Sequence, residues 1–336
     1  MKICVIGAGA IGGLMGAKLA LAGEDVTVID QGAHLEAIKS KGLKLIWEDG
    51  SEHVAQVSTA ANCAEAGPQD LVILALKAHY LDQVAKDVHQ LMGDDTMIVT
   101  VQNGIPWWYF HNLKGPHEGT RLDSLDPTGI LTKHIDADRI VGCVVYPAAA
   151  VTEPGVIHHV EGDRFPIGEL DGSTESARTQ ALHDVLVNAG FRSRILDDIR
   201  SEIWLKAWGN LSFNPISALT HATLVDICQF AETRVLAQAM MEEAQIIAEA
   251  FGVTFRHTIE KRIAGAEGVG AHKTSMLQDV EAGRSLETEA LIGAILEMGK
   301  MADIPAPSIQ AVYACVKLLN KVMVLEGAGV RVIEAA

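Results

Sequence analysis

Over residues 2–30 the alternation of apolar and polar positions reads as strand, turn, helix, strand. Ile3, Val5 and Ile6 lie in a short β-branched run, six residues from Gly7 to Gly12 interrupt it, apolar residues then recur at helical period through Leu21, and Val26, Val28 and Ile29 form a second run ending at Asp30. The alternation continues with a helix over 33–41, a strand over 43–46, and a hairpin partner near 54–57, with Asp49-Gly50 as the turn. Apart from Asp70, Thr96 and Thr100 the runs 70–76 and 96–101 are apolar, as in strands buried on both faces of a parallel sheet, and helical period over 80–91 joins them. Strands over 139–146, 156–160, 165–168 and 191–196, with a helix over 176–188, complete a first domain. After residue 197 strand signals vanish. Helical period runs over 199–220, 228–251, 258–263, 286–301 and 308–324.

The pattern therefore predicts an α/β, Rossmann-type doubly wound sheet over 1–197, followed by an all-α domain over 198–336. In the first turn, Gly7-Ala8-Gly9-Ala10-Ile11-Gly12 has the spacing of a dinucleotide-binding loop. Gly7 permits the turn, Gly9 lets a pyrophosphate approach the backbone, Gly12 lets helix and strand pack closely, and the helix N-terminus offers N–H groups to phosphate. Asp30, eighteen residues past Gly12, is placed to accept hydrogen bonds from an adenosine ribose. A secretory signal would also begin with a lysine and an apolar run, but glycines at 7, 9, 12, 13 and 16 make a poor signal core.

Composition narrows the partners. The chain has 336 residues, is 49% hydrophobic and carries a net charge of −16 without a compensating basic stripe, which argues against nucleic acid and anionic membranes. No uninterrupted apolar window of membrane-spanning length stands out, so a soluble, cytoplasmic protein is expected. The five scattered cysteines read as core residues of a reducing compartment, and neither they nor His158-His159 have metal-ligand spacing, so no metal is expected.

Four further segments carry candidate chemistry. Leu76-Lys77-Ala78 and Gln102-Asn103-Gly104 follow the two apolar strands, at the rim where a doubly wound sheet binds ligands. Region 105–137 loosens and contains Trp107-Trp108-Tyr109-Phe110, which reads equally as a functional loop insertion or as an aromatic plug over the sheet edge. Lys206, Asn210 and Asn214, spaced i, i+4, i+8, share one helix face. Either they line a polar pocket, or Lys206 pairs with Glu202 on a solvated face and Asn214 ends a helical turn before Pro215.

Together these segments resemble the ketopantoate reductase (2-dehydropantoate 2-reductase) family along essentially the whole chain. The likeness includes Thr274-Ser275-Met276-Leu277-Gln278-Asp279, Gly283-Arg284 and Glu287. It implies a helical domain like the C-terminal domain of 6-phosphogluconate dehydrogenase and NAD(P)H-dependent reduction of 2-dehydropantoate to (R)-pantoate, a step toward pantothenate and coenzyme A. It further implies Lys206 as general acid, Glu287 organising Lys206 and the nicotinamide ribose, and Asn210, Asn214 and Ser275 on the substrate. Asn103 would lie between substrate and cofactor. The cofactor loop would be Gly7, Ala8, Gly9, Ala10, Ile11 and Gly12, with Asp30 and Lys77.

Three departures qualify the likeness. The resemblance implies NADP(H), but NADP(H)-using members usually carry a basic residue after the second strand, whereas Asp30-Gln31-Gly32 stands here; its carboxylate repels a 2′-phosphate and favours NAD(H), or else the phosphate is held by another group such as Lys77. The 105–137 segment is long, and Thr223-Leu224 replaces a further asparagine that some members use. Two other readings follow: reduction of a different 2-oxo acid on the same scaffold, and a non-catalytic dinucleotide-binding regulator. The apolar helices of the second domain either cover a homodimer interface or pack on one another.

Overall fold

The computed structural model describes residues 1–332. They form two compact units: Met1–Asn103 with Trp107–Ile199, and Gly104–Pro106 with the chain from Arg200 onward. The expected division after residue 197 had no place for the Gly104–Pro106 excursion.

In the first unit, β1 (Lys2–Ile6), β2 (Asp25–Ile29), β5 (Ser58–Ala60), β6 (Gln69–Leu74), β7 (Met92–Thr100), β8 (Ile140–Cys143) and β11 (Ile167–Glu169) form one sheet in the order β11-β8-β7-β6-β1-β2-β5. All pairs are parallel except β11 with β8. Chain order reverses between β1 and β6, so the ligand rim lies at their carboxyl ends. The register aligns those ends: Ile6 pairs with Ile29 on one side and Leu74 on the other.

Helix α1 (Ala10–Leu21) lies between this sheet and a second one, β4-β3-β10-β9, made from β3 (Leu43–Ile46), β4 (Glu52–Ala55), β9 (Ala148–Glu153) and β10 (Val156–Glu161). Gly13 permits the contact, since a Cβ there would press on the Ile157 side chain at 2.5–2.7 Å. The β3–β4 hairpin was expected, but its place in a separate sheet was not; alternation fixes strand faces, not sheet membership. Lys18 of α1 is buried with its ammonium donating to Gly190 O at 3.0 Å and lying over the Phe191 and Trp47 rings. Burial holds its pKa below the ordinary lysine value.

Helices α2 (Gly32–Lys41), α3 (Cys63–Ala66), α4 (Asp82–Ala85), α5 (Ile130–His134) and α6 (Ala177–Asn188) complete the unit. The predicted 80–91 helix is broken into α4 flanked by 3-10 turns at Ala78–Tyr80 and Val88–Leu91. Its apolar spacing survives because 3-10 and α turns bury similar positions. The predicted strand over 191–196 is reduced to isolated bridges at Arg192 and Ile195.

The aromatic segment is a plug: Trp107, Trp108, Tyr109 and Phe110 are all buried, and Trp108 Nε1 donates to Thr100 Oγ1 at 3.0 Å. Buried Asp126 orders the insertion by accepting from the Leu131 and Thr132 N–H groups, so it has a fixed conformation. A cavity of about 280 Å³ opens within it, between Trp107, Arg121 and Thr132.

The second unit contains α7 (Ile199–Thr220), α8 (Leu224–Gln229), α9 (Ala231–Ala250), α10 (Ile259–Val269), α11 (Ser275–Glu281), α12 (Ala294–Met301) and α13 (Pro307–Glu326). Trp204 and Trp208 bury α7 in this unit; the Trp208 indole stacks on Phe255 and donates to Met241 O at 3.0 Å. The predicted 228–251 helix divides at Phe230, and the short α11 escaped periodicity. By length and composition α13 is long and apolar enough to cross a membrane. Its apolar run is interrupted by Gln310, Lys317, Asn320 and Lys321, so no uninterrupted apolar window occurs in it.

Candidate active site

The glycine loop behaves as its spacing requires. Gly7 has φ +92°, and a Cβ on Gly12 would overlap the Gly7 carbonyl oxygen, so both positions need glycine. A Cβ on Gly9 would meet no protein atom within 4 Å, which leaves its backbone open to a ligand. Gly9 is also the N-cap of α1 and supplies no side-chain cap, so the first-turn amides of Ala10, Ile11 and Gly12 face outward as donors.

Asp30 closes this loop from the end of β2. Its Oδ2 accepts from the Ala8 N–H and its Oδ1 from the Gln31 N–H, both at 2.7 Å. His34 supports the same turn. The Gly155 N–H donates to Nδ1 at 3.1 Å, which places the imidazole proton on Nε2, 2.9 Å from Ala8 O. No Lys or Arg stands between Asp30 and Lys39.

At the adjoining strand ends, Lys77 and Asn103 are partly buried. Gln102, noted in the motif but given no role, joins them: Nε2 donates to Leu74 O at 2.7 Å and Leu76 O at 2.9 Å. It thereby ties the exit of β6, where Lys77 begins a 3-10 turn, to the exit of β7. The only signal for this role was its position one residue past a buried strand.

In the second unit, Lys206 and Asn210 are partly buried and Asn214 is buried on one face of α7. The Glu202 end of this face is not solvated. Glu202 is buried and both of its carboxylate oxygens are held by Arg256. As its period predicts, α7 continues through Pro215 to Thr220. Proline removes one N–H from the ladder, which a packed helix tolerates. Ser275 is exposed at the first position of α11, whose N-cap Thr274 accepts from the Leu277 N–H. Asp279 takes the Arg284 Nε–H at 2.7 Å, closing the turn that leads to partly buried Glu287. The loop residues, Asp30, Lys77 and Asn103 thus share one strand-end rim, while the lysine–asparagine ladder shares one helix face. Among the described residues no cluster suited to a metal occurs.

The model of the ketopantoate reductase PanE/ApbA family matches residues 3–172, and that of its C-terminal domain matches 198–320. The chain belongs to the ketopantoate reductase family. It is 53% identical to the 2-dehydropantoate 2-reductase of Mesorhizobium japonicum, over 95% of this chain and 98% of that one. It is 28% identical to the enzyme of that name from Halobacterium salinarum, over 96% and 99%. A solved structure described as a ketopantoate reductase, from Ralstonia solanacearum, matches with TM-score 0.91 and 37% identity over 96% and 98%. The ladder on α7, Ser275 and Glu287 therefore lie in the C-terminal domain shared by this family.

Proposed function

We propose that this chain reduces 2-dehydropantoate to (R)-pantoate, supplying pantothenate and coenzyme A synthesis. The observation that carries the reading is the partly buried lysine–asparagine ladder on the buried helix α7, in a chain 53% identical to a 2-dehydropantoate 2-reductase. The residues present fit a nicotinamide dinucleotide: the open backbone at Gly9 and the uncapped start of α1 suit a pyrophosphate, and Asp30 suits ribose hydroxyls. When bound, that cofactor supplies the hydride for the substrate's C2 carbon.

The chain supplies the rest. Lys206 Nζ donates a proton to the C2 oxygen as negative charge develops there, and its ammonium stabilises that charge. Asn210, Asn214 and the Ser275 hydroxyl donate to the substrate's carboxylate and hydroxyl, Asn103 orients the carbonyl, and Glu287 orients Lys206. Lys77 contacts the cofactor. With Asp30 at the ribose position and no neighbouring Lys or Arg, NADH is the preferred dinucleotide.

The enzyme acts in the cytoplasm as a homodimer. The face of α13 bearing Leu318, Val322 and Leu325, 61%, 48% and 72% exposed, suits a second copy of the chain.

The deciding experiment is dinucleotide oxidation by the purified protein, with 2-dehydropantoate offered against a panel of other 2-oxo acids. A preference of at least 100-fold in kcat/KM supports the reading, whereas equal turnover of another acid overturns it. Thr223, which stands where some members have an asparagine, spends its hydroxyl on Asp226 in a capping box and does not substitute for it.

A further inference from the structure

The helix after Glu287 is irregular at one place. Glu289–Gly293 forms a single π turn, with the Ala294 N–H reaching back to Glu289 O, before α12 resumes. A π turn packs less well than an α turn, and isolated ones concentrate where function requires them. Here the Ala290 carbonyl of the turn accepts the backbone N–H of Ile105 at 2.9 Å.

Two glycines make the arrangement feasible. Gly104, immediately after Asn103, has φ +85°, and a Cβ on it would overlap the Ala290 carbonyl. Only glycine lets the chain come so close. On the other side, a Cβ on Gly293 would overlap Oε2 of Glu289, whose carboxylate folds back across its own turn. That carboxylate is held from α13: Tyr313 Oη lies 2.8 Å from both oxygens, and Lys317 Nζ lies 2.9 Å from Oε1 and 2.7 Å from Tyr313 Oη. The turn is thus fixed on both sides, two residues after Glu287.

We propose that this braced π turn is a positioning device for the reaction, with Gly104, Glu289 and Tyr313 as positioning residues that fix the Gly104–Ile105 segment, directly after Asn103 in the chain, on the helix begun by Glu287. The inference rests on the roles given above to Asn103 and Glu287. A brace of this kind acts on geometry, and small misplacements of reacting groups lower kcat by about 100-fold. Binding of the dinucleotide, which uses the Gly7–Gly12 loop, is left nearly unchanged.

The test compares Gly104→Ala, Glu289→Ala and Glu289→Gln in the full-length protein, measuring kcat for 2-dehydropantoate, the dinucleotide Kd by fluorescence, and amide exchange of the 103–106 segment by mass spectrometry. Expected are a kcat ten- to 100-fold lower in Gly104→Ala and Glu289→Ala, a Kd within three-fold of wild type, and at least ten-fold faster exchange. Glu289→Gln, which retains an acceptor for Tyr313, should stay within three-fold of wild type throughout. Unchanged kcat in both disruptive variants overturns the proposal, as does a kcat loss matched by the Kd. If the wild type itself fails to reduce 2-dehydropantoate, the functional reading falls and exchange alone decides: unchanged exchange in Glu289→Ala removes the brace, and faster exchange with Kd retained sustains it.

Discussion

Asp30 and Ala8 are joined by a 2.7 Å hydrogen bond from the Ala8 N–H to Oδ2, so the acid at the end of β2 shapes the glycine loop. One carboxylate therefore orders the loop and places negative charge at the ribose position. It repels a 2′-phosphate by an amount on the order of one to a few kcal/mol at close range. NADH is expected to exceed NADPH at least ten-fold in kcat/KM. Asp30→Asn, which keeps an acceptor for the Ala8 N–H, should narrow that ratio about ten-fold, measured by initial rates with both dinucleotides. An unchanged ratio would remove Asp30 from cofactor choice.

Gly9 and Gly12 should separate binding from folding. Alanine at 12 drives its Cβ into the Gly7 carbonyl and against Ala75, so the loop must shift. A loss of about 1–3 kcal/mol in stability is expected together with weakened dinucleotide binding. Alanine at 9 meets no protein atom and should leave the melting temperature within 1–2 °C, on the order of a few tenths of a kcal/mol. Its methyl group would still occupy the approach to the backbone, raising the dinucleotide Kd at least ten-fold. Calorimetry and fluorescence titration on both variants check the contrast.

The main sheet was legible because its signals are local. The β-branched runs, the glycine turn and helical period specify β1, α1 and β2 without reference to distant residues, and even the polar stripe on α7 is a matter of spacing. What escaped depends on partners far apart in sequence. The second sheet needs β3 beside β10, more than a hundred residues later, and nothing local to Lys18 tells that Trp47 and Phe191 close over its ammonium. Helical period over 286–301 likewise did not reveal the π turn, whose braces, Gly104 and Tyr313, lie elsewhere in the chain.

Glu169 gives the first unit an acid-sensitive clasp. Burial alone would raise its pKa, but hydrogen bonds from Arg178, Ser176 and Thr179 outweigh burial and hold it below the ordinary value of 4.5. Because the folded-state pKa is the lower one, the stabilisation is complete above that ordinary value and is lost as pH falls through the folded-state value. Urea unfolding between pH 7 and pH 3 should show this decline. In Glu169→Gln the slope should flatten and stability at pH 7 should drop by about 2 kcal/mol. An unaltered slope would assign the acid sensitivity to other carboxylates.

Lys206 provides the sharpest division between an enzyme and a dinucleotide-binding regulator. It is only partly buried, whereas its neighbours Trp204 and Trp208 are fully buried, so Lys206→Ala should remain folded. General-acid catalysis accounts for about 10² to 10⁴ in rate, and loss of the ammonium also removes charge stabilisation at the developing alkoxide. A fall in kcat of at least 1,000-fold is therefore expected, with the dinucleotide Kd within three-fold because the Gly7–Gly12 loop is untouched. The pH profile gives an independent check. An acid must be protonated to act, so wild-type kcat/KM should fall on the alkaline side, and the residual activity of Lys206→Ala should lack that limb. If activity and the alkaline limb both survive the substitution, the proton comes from elsewhere and the α7 ladder serves only to bind substrate.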